Sequence, residues 1–259
     1  MDANVAPIRL AIDDGIAIAT LDRPPVNAID EAWVARLDAI VDGVEARDDV
    51  RVLWIRAAGR AFCAGADLAR MRERFASADG RAHMVDLTRA MQRLFARIER
   101  SPRVSIAEIG GAALGGGLEL ALACDIRIAA DSARLGLPEA RLGLLPGAGG
   151  TQRLTRIGGD AVARQLILGA EVIDGARAAA LGVVQQCVPL DELETAARAQ
   201  AERIAAVPAA ALAACKRCIT AAVDGTEDGY AAEVQGTAML YAHAETQALV
   251  QRFLAGAKG

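Results

Sequence analysis

Aromatic residues are scarce in this 259-residue chain, at 3%, with Trp 2, Tyr 2 and Phe 4. A surface that binds single-stranded nucleic acid needs stacking side chains on a basic track. Here the basic residues are scattered, and Lys+Arg 29 against Asp+Glu 33 leaves a net charge of −4, so nucleic acid is not the expected principal ligand. Histidine is nearly missing: His83 and His243 stand far apart, which removes a histidine-based zinc centre and leaves no local base for a nucleophile. None of Ser77, Ser101, Ser105 or Ser132 lies in G-x-S-x-G. No run of 18 apolar residues occurs, so no membrane partner is expected. The start, MDANVAPIRL, lacks the basic and apolar regions of a secretory signal. The cysteines, Cys63, Cys124, Cys187, Cys215 and Cys218, are odd in number, and together these features predict a reducing, cytoplasmic location. Cys215 and Cys218 have C-x-x-C spacing but sit in an alanine-rich helical pattern with no second pair, and are read as helix residues.

What the chain has is apolar mass, 53%, mostly aliphatic, in a length able to bury roughly 70–75% of its unfolded surface. Residues 8–12 and 15–21 flank Asp-Asp-Gly and read as a hairpin. Asp30 is a candidate N-cap for a helix to about Ala46, with Trp33, Leu37, Ile40 and Val44 on one face. Strands are predicted at 50–57, 104–109 and 125–130, and a long amphipathic helix at 81–99 on Met84, Leu87, Met91, Leu94 and Ile98. From about 149 the pattern turns helical (150–157, 160–168, 175–180, 190–206, 209–223 and 228–255), interrupted by one strand at 183–188. The fold class is therefore α/β, with a core over 1–200 and a helical region over 201–259.

Three glycine-bearing turns stand out. In Gly110-Gly-Ala-Ala-Leu-Gly-Gly-Gly-Leu-Glu119, three glycines follow a strand and open an apolar helix. They serve either close strand–helix packing or a backbone N–H site for a developing oxyanion. Neither G-x-G-x-x-G nor G-x-x-x-x-G-K-[ST] is present, which removes dinucleotide and P-loop readings. Glu119 is the only charge between Glu108 and Asp125. It is either a buried acid with a raised pKa or a helix-start acid that satisfies the dipole. Glu139 follows Leu137-Pro138 and precedes Gly143 and Pro146-Gly147, so it is either aimed by a rigid loop or an ordinary surface acid. In Ala61-Phe-Cys-Ala-Gly-Ala-Asp-Leu68, Asp67 reads as the cap of a short helix.

Taken together, AFCAGADLARM (61–71), GGAALGGGLELALACDIRIAA (110–130) and LGLPEARLGLLPGAGGTQRLTR (135–156) resemble the enoyl-CoA hydratase/isomerase (crotonase) superfamily. LDRPPVNAI (21–29) is similar to its early loop, and Pro208–Gly225 to its late helix, with Lys216 at the family's lysine. The resemblance implies a crotonase-like spiral of ββα units whose C-terminal helices build a homotrimer or a dimer of trimers. It implies an acyl-CoA thioester substrate, with coenzyme A as part of the substrate and no separate cofactor or metal. Oxyanion donors would be the N–H groups of Ala66 and Gly116, and the acids Glu119 and Glu139. Ala64, Gly65, Asp67 and Leu68 would border the CoA moiety, Arg23 would be a phosphate candidate, and Gly147 would line the water site. Retention of both glutamates points to hydration of a trans-2-enoyl-CoA. An enoyl-CoA isomerase, a hydratase of a specialised acyl-CoA, or a non-catalytic acyl-CoA-binding or RNA-binding relative are the alternatives. The family's acidic and glycine pair near the C-terminus is not retained in 248–258, where Phe253 and Lys258 are the nearest substitutes.

Overall fold

The computed structural model describes residues 6–225 and 227–256; residues 1–5 and Lys258 lie outside them. Strand β1 (Ile8–Asp13) pairs antiparallel with β2 (Ile16–Leu21) about the Asp14-Gly15 turn, the hairpin that the sequence predicts. Asp30 caps helix α1 (Glu31–Glu45), its carboxylate accepting the Trp33 N–H at 2.9 Å, and Trp33, Leu37, Ile40 and Val44 are buried beneath it. Then come β3 (Val52–Ala57), β4 (Ala61–Cys63), α2 (Leu68–Phe75) and the long α3 (Ala78–Arg100). The next turn of chain repeats the pattern with β5 (Val104–Ile109), β6 (Ala112–Leu114) and α4 (Gly116–Ala123). A third brings β7 (Ile126–Ala130), β8 (Arg134–Gly136) and α5 (Gly150–Leu168).

Each turn contributes one strand to each of two sheets. The six-stranded sheet has the order β1-β2-β3-β5-β7-β10, where β10 is Gln186–Val188. The four-stranded sheet has the order β4-β6-β8-β9, where β9 is Val172–Asp174. All neighbours are parallel except β1 with β2 and β8 with β9. This is the spiral that the family resemblance implies. The short strands of the second sheet carry little sequence signal, since three residues show no period. The predicted strand at 183–188 is shortened to β10, because the Val183 and Val184 N–H groups turn back to the Ala178 carbonyl (2.9 and 3.3 Å) instead of joining the ladder. Helix α5 breaks at Gly159, φ +82, between the two helical runs that the sequence separates.

Helices α6 (Gly175–Ala180), α7 (Leu193–Ala205), α8 (Ala209–Asp224), α9 (Gly229–Ala242) and α10 (Ala244–Gly256) complete the chain. The run expected over 228–255 is thus two helices, divided at His243, whose extended backbone (φ −77, ψ 127) ends α9. Helix α7 lies on the six-stranded sheet through Leu193, Ala197, Ala201 and Ile204. No single helix among the described residues is long and apolar enough to cross a membrane.

One buried cation ties α8 to this core. Lys216 Nζ donates to the carbonyls of Ile98 (3.2 Å) and Arg103 (2.9 Å) and to Asp125 Oδ2 at 2.7 Å. The same carboxylate oxygen accepts the Ser105 N–H and hydroxyl at 2.7 and 2.8 Å. A positive charge at the end of α3 also suits the orphan carbonyls there. Lys216→Met therefore leaves a partly buried carboxylate and two carbonyls without their donor, and costs about 3 kcal/mol, read as a lower urea midpoint with α8 the first segment to lose amide protection.

Candidate active site

Three short parallel strands, β4, β6 and β8, end at the same edge of the second sheet, and each runs into one of the glycine-bearing turns. After β4, Gly65 adopts φ +89 and Ala66 forms a parallel bridge with Ile29. That bridge uses the Gly65 carbonyl and the Asp67 N–H, which leaves the Ala66 N–H out of it. After β6, Gly115 takes φ +52, ψ −125, a region open to glycine, and its N–H donates to the Gly136 carbonyl of the adjoining strand at 3.0 Å. Gly116 is then the first residue of α4, so its N–H has no partner within the helix. The two turns touch: a Cβ on Gly65 would stand 3.2 Å from the Gly116 nitrogen. Ala66 and Gly116 both line one cavity of about 590 Å³.

The third glycine does the packing that the sequence offered as an alternative role. A Cβ on Gly117 would lie 2.0 Å from the Cys63 carbonyl oxygen, so α4 can approach β4 this closely only with glycine there. All eight residues of α4 are buried, Glu119 among them at 2% exposure. Its Oε1 accepts the Gly150 N–H at 2.8 Å. Burial pushes the Glu119 carboxyl up to about 7, with the neighbouring Glu139 charge adding to the rise and the Gly150 N–H opposing it.

Glu139 arrives from the other side. Beyond β8, Leu137 and Pro138 lead into a single 3₁₀ turn, Pro138–Leu142, closed by Gly143 at φ +71 and by the Leu144 N–H on the Glu139 carbonyl at 3.1 Å. The loop thus aims the carboxyl inward: Oε1 lies 2.9 Å from where a Cβ on Gly115 would stand. Its Oε2 is buried and has no hydrogen-bond partner among the described residues, and burial raises this pKa too. A buried carboxylate oxygen left open beside a cavity is a place for a bound water or substrate group.

Of the remaining residues singled out in the sequence, Ala64, Gly65, Leu68 and Gly147 line the cavity. Asp67 does not; it caps α2, accepting the N–H groups of Ala69 (3.1 Å) and Arg70 (3.2 Å). The Arg23 guanidinium is held by the Ala28 carbonyl (2.5 Å) and by Asp30 (2.8 Å), outside the cavity lining. Cys63 is buried, its thiol donating to the Asn27 carbonyl and pushed up to about 12 by burial, which makes it inert as a nucleophile. Cys215 is exposed and Cys218 half-buried on α8, both free.

One residue at the site was not apparent in the sequence. Arg153, 5% exposed in the first turn of α5, donates Nη1 to the Ala148 carbonyl at 3.0 Å and forks onto the Glu99 carboxylate through Nε (3.0 Å) and Nη2 (2.9 Å). It packs against Gly149, where a Cβ would stand 2.2 Å from Nη1. The loop it braces, 146–150, is the one whose Gly150 N–H holds Glu119, and its charge lowers the Glu119 pKa. Its role follows from burial and from contacts with the Ala148 carbonyl and with Glu99, 54 residues away, which no local pattern announces. Arg153→Met should move the Glu119 titration upward from about 7, followed by ¹³C NMR of the glutamate carboxyls. It should also cost about 1–3 kcal/mol, since Glu99 keeps only its longer contact to Arg156 (3.5 Å) and the Ala148 carbonyl loses its donor, read by denaturant unfolding.

Comparison with known proteins agrees with this geometry. The family model described as "Enoyl-CoA hydratase/isomerase" matches residues 11–258. A Bacillus subtilis (strain 168) protein named "Probable enoyl-CoA hydratase" is 45% identical over 194 residues, 75% of this chain and 73% of its own length. The "Short-chain-enoyl-CoA hydratase" of Clostridium acetobutylicum is 37% identical over 191 residues, 73% of this chain and 71% of its own. Among solved structures, the enoyl-CoA hydratase from Bacillus anthracis superposes with a TM-score of 0.89 at 33% identity, covering 96% of each chain. DspI from Pseudomonas aeruginosa superposes with a TM-score of 0.90 at 33% identity, covering 99% of this chain and 98% of its own. With its two spiralled sheets, its apposed glycine turns and these relatives, the chain belongs to the enoyl-CoA hydratase/isomerase (crotonase) family.

Proposed function

We propose that this protein is an enoyl-CoA hydratase that adds water reversibly, in syn fashion, to a trans-2-enoyl-CoA to give the 3-hydroxyacyl-CoA, in fatty-acid β-oxidation or related acyl-CoA breakdown. The observation that carries this reading is the pair of glutamates: two carboxyls with raised pKa lining one cavity together with Ala66 and Gly116.

In this reading the thioester oxygen sits against the Ala66 and Gly116 N–H groups, which polarise the conjugated system and stabilise the enolate-like charge that develops on attack. A water held between the glutamates loses a proton to Glu119 as its oxygen bonds to C3. Glu139, carrying the pair's one proton, delivers it to C2. The C2–C3 double bond is consumed, and the proton now on Glu119 returns to Glu139 to reset the pair. Losing either N–H donor costs roughly 10²–10³-fold, and each acid–base role is worth roughly 10²–10⁴-fold. The exposed apolar residues of α8, α9 and α10, among them Ile219, Val234, Tyr241 and Phe253, support assembly into a homotrimer or a dimer of trimers. A cytoplasmic location completes the proposal.

The test is the loss of enoyl-thioester absorbance when the purified protein meets crotonyl-CoA, with 3-hydroxybutyryl-CoA as product. A 3-enoyl-CoA substrate run in parallel exposes an isomerase instead. Glu119→Gln and Glu139→Gln should each lower kcat by about 10²–10⁴-fold, and near-normal rates in both would refute the two-acid mechanism.

The pH profile carries a sign. The two carboxyls titrate as one coupled unit: at low pH both are protonated and no base remains, and above about 7 the pair's last proton leaves and no acid remains. The kcat/KM of the free enzyme is therefore bell-shaped, its alkaline limb near pH 7, measurable with crotonyl-CoA across a buffer series.

A further inference from the structure

Away from the two glutamates the cavity wall is apolar, and one side of it is built by α2 and the first turns of α3. Met71 and Phe75 come from α2, and Met84, Val85, Thr88 and Met91 from α3. The α3 residues recur with Arg81 at three- and four-residue spacing, so all lie on one stripe. Met91 marks the reaction end, its terminal methyl 2.8 Å from where a Cβ on Gly116 would stand. Arg81 stands ten residues earlier on the same helix, about 15 Å along its axis. Among the described residues it is the only charged group that lines the cavity besides Glu119 and Glu139.

The corner that presents Arg81 is firmly built. Ser77 Oγ accepts the Gly80 N–H at 2.9 Å, and a Cβ on Gly80 would stand 2.2 Å from the Arg74 carbonyl oxygen. Arg81 Nη1 donates to the Phe75 carbonyl at 2.8 Å, which ties the guanidinium to the end of α2. Neighbouring arginines are engaged elsewhere: Arg74 with Glu31, and Arg70 with Asp30 and Glu31. No carboxylate of the described residues lies within ion-pair distance of Arg81, and four of its five N–H groups remain for a ligand.

We propose that Arg81 recognises a carboxylate at the far end of the acyl chain, so that the preferred substrates are enoyl-CoAs of medium length whose chain ends in a carboxylate. The proposal rests on the hydratase reading above and names its substrate class. A guanidinium fork is the side chain that matches a carboxylate in two parallel hydrogen bonds. The apolar stripe between Met91 and Arg81 suits the methylenes that separate such a group from the thioester. The glutamates at the reaction end repel an anion, which makes the opposite end the favourable place for it. An extended chain advances about 3.5 Å for every three bonds, so about 15 Å corresponds to roughly a dozen bonds, fewer by the reach of the arginine.

The experiment compares kcat/KM for 2-enoyl-CoAs with that for mono-CoA esters of 2-enedioic acids of equal length, from hexenedioic to dodecenedioic acid. Kd values are measured in parallel by calorimetry for the saturated acyl-CoA and ω-carboxyacyl-CoA of each length. The wild-type protein should favour the carboxylated member of the medium-length pairs by about two- to fivefold, as expected for an exposed ion pair. Arg81→Gln should abolish that ratio in both readouts and Arg81→Glu should invert it, while Arg72→Gln, a nearby charge outside the cavity lining, should leave it unchanged. A wild-type ratio near one at every length would overturn the proposal. So would equal weakening of both substrate classes and of free CoA in Arg81→Gln, which would make Arg81 a contact to the CoA phosphates. If no enoyl-CoA of either class is turned over, the hydratase reading fails, and the Kd ratio still decides whether Arg81 selects a carboxylate.

Discussion

The site depends on how closely α4 can approach the turn after β4. With a Cβ, Gly117 would press to 2.0 Å from the Cys63 carbonyl, and Gly65 to 2.9 Å from that of Leu114. Because neither has one, the start of a buried helix lies against a strand end, and Ala66 and Gly116 line a single cavity. The parallel order of β4, β6 and β8 supplies the rest, since it brings three chain-distant turns to one edge. Backbone N–H groups at such turns are held by the fold, with no side chain to reorient, which is what the proposed oxyanion role requires.

Burial then sets the electrostatics of the two acids. The chain holds another glutamate whose pKa burial pushes to about 7, Glu108 on β5, 6% exposed, with the Arg56 charge only partly opposing the rise. Glu108 lies 3.5 Å from Arg56, which also pairs with Glu194 and stacks over Trp54, outside the cavity lining. A raised pKa is therefore not what distinguishes Glu119. What distinguishes it is a second carboxyl across the same cavity and a backbone N–H fixed by a braced loop. Arg153 belongs to that brace, holding the loop through the Ala148 carbonyl.

Much of the architecture was readable because hydrophobic period survives in the long elements. The β1–β2 hairpin, α1 with its Asp30 cap, α3 and the β3, β5 and β7 strands all carry enough residues for a pattern to emerge. The four short strands of the second sheet do not, and their pairing rests on long-range contacts such as Ala113 with Leu135. The division of α9 from α10 at His243 also escaped the pattern, since both halves are rich in alanine and carry little amphipathic contrast. Asp67 was legible as a cap for a local reason: its carboxylate reaches N–H groups two and three residues ahead.

The sequence by itself determined the candidate groups, namely three glycines opening an apolar helix, a lone acid within it, and a second acid on a proline-bounded loop. These are local statements, set by backbone freedom and by charge in an apolar run. Only the tertiary structure decided between the readings each allowed. It assigned Gly117 to packing, buried Glu119 and turned Glu139 inward, because those outcomes depend on what lies opposite. Arg153 and Arg81 were decided there as well: one meets Glu99 from 54 residues away, the other faces a cavity that exists only once α2, α3 and α4 have packed.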